Sequence, residues 1–459
     1  MINSEKSVAS LTEKYNVAAP RYTSYPTVPY WDSDHFTTGE WMQSVKLSFN
    51  ESNDAGGISL YIHLPYCENL CTYCGCNTRI TKNHRVEEPY IKAVLGEWDM
   101  YLKIMGDSPV IREIHLGGGT PTFFSPANLE TLIKGLLDKA TAHPQAQFSF
   151  EAHPANTTVE HLQVLHRLGF TRLSLGIQDF DPRVQFIINR HQTFEQVQSV
   201  MNSARSIGYT SVNFDLIYGL PLQTMEGLAN TMHLVSELMP DRIAFYSYAH
   251  VPWLKPGQRR FTEEHLPNAH EKNKLYEIGR SLLRTYGFTE IGMDHFALQG
   301  DELLSAEDTG KLHRNFMGYT ANHTQLLIGL GVSSISDSWY AFSQNVKGVE
   351  EYLKLIDAGE LPVLKGHLLT GEDLALRQHI LNIMCKGETS WNYDNAVPAV
   401  LIQALERLEP LEADGLVELS PLSVKVTPLG KNHLRIICMA LDARLWANKP
   451  TTQLFSMAV

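Results

Sequence analysis

The chain predicts an α/β fold: a partial, open (β/α)6 barrel, preceded by an N-terminal arm and followed by a mainly helical C-terminal domain. Three observations carry this. Between about residues 57 and 250, short β-branched and aromatic runs alternate six times with amphipathic segments three or four turns long. Nearly every run ends in something polar or glycine-rich, which puts these endings on one rim of a parallel sheet. From about residue 360 the alternation gives way to helical patterns. Six units are too few to close an eight-stranded barrel, so the sheet is expected to stay open. The expected division is an arm over 1–50 that covers the barrel mouth, a barrel over 51–265, an extension with pocket loops over 266–355, and a C-terminal domain over 356–459.

Residues 1–50 contain Arg21-Tyr22-Thr23-Ser24-Tyr25-Pro26 and little periodic apolar pattern. The strand candidates are Ile58–Leu64, Glu113–Leu116, Gln147–Glu151, Arg172–Gln178, Val212–Tyr218 and Ile243–Tyr248. The helix candidates between them are Glu87–Lys103, Ala127–Ala140, Val159–Leu168, Phe194–Ile207 and Thr224–Leu238. Ser125-Pro126 and Thr158 mark helix starts, and Gly169 and Gly208 stand just past two helix ends. A long helix is expected over about Ala269–Thr285. The stretches 287–296, 313–320 and 330–336 lack core-helix periodicity and read as loops. They set Asp294, His295, His313 and Arg314 beside aromatics, which suits a flat aromatic substrate whose carboxylates meet cations such as Arg314 and Arg21. Further on, Gly371–Ile383 and Pro398–Ala413 read as helices. Leu416–Ser420 and Val424–Thr427 read as a small hairpin like the wing of a winged helix. Without a basic recognition helix, that portion is expected to be a structural lid.

The loop leaving the first strand reads Cys67-Glu-Asn-Leu-Cys71-Thr-Tyr-Cys74-Gly-Cys76 and holds four of the chain's 6 cysteines. Buried thiols would need an apolar face, which Glu68, Asn69 and Gly75 interrupt. Structural zinc needs four ligands, usually as two separated pairs. No second CxxC occurs, and Cys385 and Cys438 are distant and single. An iron–sulfur cluster suits the loop best. Cys67, Cys71 and Cys74 can hold three irons of a four-iron cube and leave the fourth open, as a catalytic metal requires. On the same rim, Gly117-Gly118-Gly119-Thr120-Pro121 lets backbone approach a ligand. Glu151 ends the third strand, either as a helix cap or as a ligand group. Gln178 and Asp179 end the fourth, and the helix after it carries Arg190. Asp215 lies on the fifth, where a carboxylate can accept hydrogen bonds from ribose hydroxyls. Ala249 and His250 follow the sixth.

CxxxCxxC with Tyr73 before the third cysteine resembles the signature of radical S-adenosylmethionine (SAM) enzymes. The longer phrase Tyr61-Ile-His63-Leu-Pro65-Tyr66-Cys67, with Cys74-Gly-Cys76-Asn77, is similar to one branch, the oxygen-independent coproporphyrinogen III oxidases. The likeness runs over nearly the whole chain, from Arg21 to the Asn432–Cys438 region. It implies a [4Fe-4S] cluster on Cys67, Cys71 and Cys74, with SAM on the fourth iron. It implies SAM contacts from Tyr61, Tyr73, Gly118, Gly119, Thr120, Glu151, Gln178, Arg190, Asp215, Ala249 and Ile335, and two SAM molecules in each active site. The reaction implied is oxidative decarboxylation, by way of a 5′-deoxyadenosyl radical, of two propionates of coproporphyrinogen III to vinyl groups, giving protoporphyrinogen IX. An electron donor such as a flavodoxin or ferredoxin is implied as well. The family often has Asp where His153 stands, so no role passes to His153. Cys76 is expected not to be a ligand, since a fourth thiolate would block SAM. Two rivals from the same superfamily are a haem chaperone, whose His-Asn…Tyr-Trp motif is not found here, and an enzyme acting on another tetrapyrrole. A zinc-binding interaction module is the third.

Composition narrows the remainder. The 459 residues carry a formal net charge of -12 with no basic run, which argues against non-specific nucleic-acid binding. No apolar stretch reaches the ~18 residues of a membrane helix, and the N-terminus lacks a signal-peptide core. Free thiols and a thiolate cluster fit a reducing cytoplasm. A monomer is the expectation, because no long apolar stripe asks for a partner.

Overall fold

The computed structural model describes residues 11, 13–391 and 399–458. At its centre is a twelve-stranded sheet, with strands β1 Ile58–Leu64, β2 Val110–Gly118, β3 Thr141–Ala152, β4 Phe170–Gln178, β5 Ser211–Tyr218, β6 Arg242–Ser247, β7 Phe288–Ile291, β8 His295–Leu298, β9 Leu327–Leu330, β10 Ile335–Asp337, β11 Ala341–Asn345 and β12 Val363–Leu368. Their spatial order is β12-β11-β10-β9-β1-β2-β3-β4-β5-β6-β8-β7. Strands β1 to β6 are parallel and adjacent in chain order, the expected open barrel. Helices connect them, as parallel pairing requires.

The sheet also extends beyond both edges of that barrel. β9 pairs parallel with β1, Ile328 opposite Leu60, as a seventh parallel strand. Antiparallel strands complete each side. The stretches at 287–296, 313–320 and 330–336, expected to be loops, instead supply β7, a separate hairpin of His313–Asn315 with Gly318–Thr320, the last residue of β9, and the starts of β8 and β10. Leu327–Leu330 is buried at every position. Four apolar residues are too few to show a period, so the strand was not separable from a packed loop by pattern.

Strict alternation builds β1–β6. Ile58, Leu60, Ile62 and Leu64 are fully buried in the main core, together with Ile114, Leu116, Phe150, Leu175, Phe214 and Phe245. These positions pack under the surrounding helices. The intervening positions face a cavity inside the barrel and are polar: Glu113, His115, Ser149, Glu151, Arg172, Ser174, Asn213, Asp215 and Arg242 all line it. Register keeps them level, with Glu151 beside Ser174 and Ser174 beside Asn213. A one-residue slip would exchange the two sets, so the polar interior fixes the register as firmly as the apolar exterior does.

The first 50 residues do not form only an arm. Thr38–Gly56 is a helix, started by a capping box between Thr37 and Glu40. Its buried face carries Trp41, Val45 and Phe49, but also Ser44 and Ser48. Those serines bond Ser338, which thins the apolar stripe and hid the helix from a periodicity reading. Before it, Tyr15, Ala19, Tyr22 and Tyr25 share a second core with Leu376, Ile380, Leu434, Ile437 and Cys438. Tyr22 donates to Asp442 at 3.1 Å, and Arg435 donates to the Pro20 carbonyl at 3.1 Å. The arm is thus part of the C-terminal domain's core. That domain combines helices Gly371–Lys386, Ala399–Ala413 and Leu434–Leu441 with a three-stranded sheet of Glu388–Ser390, Val417–Ser420 and Ser423–Val426. Pro398, the expected start of the second helix, lies outside the described residues.

Candidate active site

The cysteine loop leaves the C-terminal end of β1 and is closed by a short parallel pairing of Tyr66–Cys67 with Arg79–Ile80. All three candidate ligands are free thiols. Each sulfur has one protein partner. Thr120 Oγ1 lies 3.2 Å from Cys67 Sγ. Arg190 Nη1 donates to Cys71 Sγ at 3.7 Å, and the Cys76 amide donates to Cys74 Sγ at 3.4 Å. The Cys76 side chain pulls the Cys74 thiol down to about 7, against the effect of burial, whereas burial pushes Cys67 up to about 11. Cys76 itself is exposed. Among the described residues no three His, Cys, Asp or Glu side chains converge on a point that a single ion would occupy. Zinc needs that convergence. In a four-iron cube each thiolate takes a different iron, so three spaced thiols, each with a hydrogen-bond partner, fit a [4Fe-4S] cluster.

The glycine run at the end of β2 packs against this loop. A Cβ on Gly119 would come within 2.6 Å of the Pro65 carbonyl, and one on Gly118, whose φ is +109°, within 2.7 Å of the His63 ring. The Gly119 amide donates to the Leu64 carbonyl at 2.8 Å and the Thr120 amide to the Tyr66 carbonyl at 3.1 Å. Gly119 therefore lets backbone approach backbone, Gly118 leaves room for the His63 ring, and the amides of Gly119 and Thr120 hold the loop. Gly118 N donates to Glu151 Oε2 at 3.3 Å. Burial alone would raise the Glu151 carboxyl, but His115, 3.5 Å away, and the Gly118 amide hold it below its ordinary value.

Tyr61 projects from β1 into the interior and stacks near His115. Its hydroxyl lies 3.0 Å from His63 Nδ1, and His63 Nε2 lies 2.8 Å from the Asn77 carbonyl. His63 thus links strand, glycine run and cysteine loop, a role its place in a strand did not reveal. Ile335 starts β10 beside Gly329, which is level with Tyr61. A Cβ on Gly329 would meet the Ile335 carbonyl at 2.6 Å.

Arg190, expected on the helix after β4, lies beyond that helix, which spans Pro182–Ile187; it is buried and bridges two elements. It donates to the Gly176 carbonyl of β4, to Gln192 at 3.1 Å and to the Tyr73 hydroxyl at 3.4 Å. Gln178 ends β4 with φ +67°, a left-handed conformation costly for a residue with a side chain. Asp215 accepts from Ser174 at 3.0 Å and Asn213 at 2.8 Å. Burial and the Glu151 charge push it up to about 6. The Ala249 carbonyl accepts from Gln258 Nε2 at 3.2 Å, and the same nitrogen donates to the Tyr73 carbonyl at 3.1 Å. Gln258, buried and far along the sequence, therefore ties the loop after β6 to the cysteine loop. No motif marks it. His153, to which no role was assigned, caps Ala155.

The two arginines expected to meet carboxylates differ. Arg314 is buried over the Tyr319 ring, 3.9 Å from Asp294, with Nε and Nη1 lacking a hydrogen-bond partner. Arg21 reaches from the arm to the Ser247 carbonyl at the end of β6, 2.8 Å away.

Comparison with known proteins agrees with this geometry. The radical SAM superfamily model matches residues 61–235. The oxygen-independent coproporphyrinogen III oxidase of Synechocystis is 36% identical, over 98% of this chain and 98% of its own length. Those of Salmonella typhimurium and Escherichia coli are 37% and 36% identical, each over 98% of both chains. The solved structure of the Escherichia coli coproporphyrinogen III oxidase, described as a radical SAM enzyme, superposes with a TM-score of 0.87 at 35% identity. It covers 92% of this chain and 97% of that one.

Proposed function

The chain belongs to the oxygen-independent coproporphyrinogen III oxidases of the radical SAM superfamily, and from that premise we propose that it converts two propionates of coproporphyrinogen III to vinyl groups, giving protoporphyrinogen IX. The observation that carries this reading is the loop of three free thiols, each with its own hydrogen-bond partner, on the rim of a barrel with a polar interior. Cys67, Cys71 and Cys74 would hold the cluster. When bound, cluster and SAM together supply the electron and the carbon radical that removes a propionate hydrogen.

The chain's own residues supply placement. Glu151, held ionised by His115, suits the ammonium of a methionyl group, and the Gly118–Thr120 backbone lies alongside. Asp215 suits ribose hydroxyls at the far side of the interior. Tyr61, Tyr73, Gln178, Arg190, Ala249 and Ile335 surround the space between. Two SAM molecules follow from the family likeness. The apolar shell behind the rim keeps water from a reactive carbon radical. Reduction by a flavodoxin or ferredoxin, a monomeric state and a cytoplasmic location complete the reading. In support of the last, no helix among the described residues is long and apolar enough to cross a membrane, and the described cysteines are all free.

The test is anaerobic: reconstitute the cluster, add dithionite, SAM and coproporphyrinogen III, and follow products by mass spectrometry. Protoporphyrinogen with loss of two CO2, and release of 5′-deoxyadenosine and methionine, is the expected result. SAM cleavage with the porphyrinogen untouched would overturn the substrate.

A further inference from the structure

Three cations meet beside the ends of β5 and β6 with no carboxylate partner. Arg21 comes from the arm, Lys272 from the helix Ala269–Thr285, and Arg435 from the helix Leu434–Leu441. Among the described residues, none of the three lies within ion-pair distance of an Asp or Glu. Backbone carbonyls hold them instead. Arg21 donates to Ser247, Lys272 to Tyr248 at 3.1 Å, and Arg435 to Pro20, Ala19, Ser456 and Met457. Carbonyls fix a cation in place without cancelling its charge. Burial, then Arg21 and Arg435, pushes the Lys272 ammonium down to about 8. Burial and Arg21 lower the Arg435 guanidinium to about 9. In both, repulsion from a neighbouring cation adds to burial, and for Arg435 the Asp294 carboxylate offsets part of it.

Arg21 and Arg435 line one cavity with Tyr218, Ser247 and Asp294. The carboxylates on its wall are already engaged. Asp294 lies 2.7 Å from His295 and 3.9 Å from Arg314, and Glu277 pairs with Arg280 at 3.4 Å. Arg435 has spent its donors on carbonyls next to Arg21. Arg21 and Lys272 have donors to spare. The cavity adjoins the barrel interior through Asp294, which lines it and lies 2.7 Å from His295, a residue of the interior lining.

A porphyrinogen with four propionates presents two that react and two that leave unchanged. Because a carboxylate is expensive to bury unpaired, the unreacted pair needs cations at a fixed distance from the reacting pair. We propose that Arg21 and Lys272 bind a carboxylate of the tetrapyrrole that is not decarboxylated, and so choose which propionates face the SAM site. This rests on the substrate reading above. The same carboxylate chemistry is offered by the methionyl end of a second SAM, and the test separates the two.

Reconstituted wild-type enzyme, Arg21→Gln, Lys272→Gln and the double variant would be titrated with coproporphyrin III, the stable tetracarboxylate, by fluorescence quenching, and with SAM by equilibrium dialysis. Iron content and the cluster's absorbance report an intact fold. We expect each single change to weaken porphyrin binding about tenfold, as befits a charge-assisted hydrogen bond, with SAM affinity unmoved. Lys272→Arg should retain most of the binding. Porphyrin binding that is unchanged in the double variant would overturn the proposal, and so would weakened SAM binding with porphyrin binding intact. If the wild type fails to turn over coproporphyrinogen III yet binds the porphyrin through Arg21 and Lys272, the reaction assigned above falls and this carboxylate site stands.

Discussion

The two ends of the barrel interior use the same strands and the same kinds of side chain to opposite purpose. At the N-terminal floor the arginines are answered. Arg242 donates to Asp301 at 2.6 Å and to Glu302 at 2.9 Å. Arg172 bonds Gln147 at 2.9 Å and also Glu302, and Asn322 joins Gln147 to Arg112. Asp301 caps the helix Glu302–Asp308 as well. At the C-terminal rim the account is left open. Three thiols have one partner each, Asp215 is held near a carboxylate of like charge, Gln178 sits in a left-handed conformation, and among the described residues Arg21 and Lys272 form no ion pair. Position along a strand, more than residue type, separates a group that stabilises the fold from one available for chemistry.

The sharpest way to break this contrast is at the rim's sulfurs. Cys71→Ser should lose the cluster outright, while Cys76→Ser keeps it. Iron and sulfide analysis of both purified variants decides, and a lost cluster in Cys76→Ser would undo the three-ligand assignment. At the floor, Arg242→Ala strands the buried Asp301, while Glu302 keeps Arg172, and should cost about 3–5 kcal/mol. Urea unfolding measures it, and a loss below ~1 kcal/mol would mean that the floor is no more structural than the rim.

Asp215 should behave in the opposite sense to Arg242. Its folded pKa of about 6 stands above the ordinary value of 3.8. The favourable contribution of its protonated form is therefore complete below about pH 4 and is lost as pH rises through 6. At pH 7.5 the ionised group costs about 2–3 kcal/mol. Asp215→Asn should flatten the stability profile between pH 4 and 6 and raise stability at pH 7.5, while weakening SAM binding. A variant less stable at pH 7.5 would show that the rim stores no such cost. Smallest in energy is Arg190→Met. Removing a cation that bonds Cys71 should make the cluster's potential more negative by ~60 mV, the equivalent of one charge-assisted hydrogen bond. An EPR-monitored redox titration reads this, and an unmoved potential would confine Arg190 to holding Tyr73 and Gly176.

Much of this was legible in advance, for reasons particular residues make plain. β1–β6 could be read because inward polar and outward apolar positions alternate without a break, and the helix Phe194–Ile207 because Thr193 and Gly208 mark its ends. The cluster loop could be read because cysteines are rare and their spacing is tight. β9 could not, since its partner Leu60 lies far away in the chain and its own four residues show no period. The helix Thr38–Gly56 was masked by its buried serines, although the Thr37–Glu40 cap was visible. Gln258, Lys272 and Arg435 were out of reach for another reason: each acts through a backbone carbonyl of a distant segment, and no side-chain motif encodes that.

The meeting of Ala18 with Met457, and of Pro20 with Arg435, sets an order of events during synthesis. The arm is made before the barrel, yet the wall it shares with His433, Leu434 and Ala458 cannot form until those residues have left the ribosome. By then the barrel and its cysteine loop have long emerged, since domains fold as they appear. The cysteine loop can thus meet iron and sulfide donors before the wall beside the ends of β5 and β6 is complete.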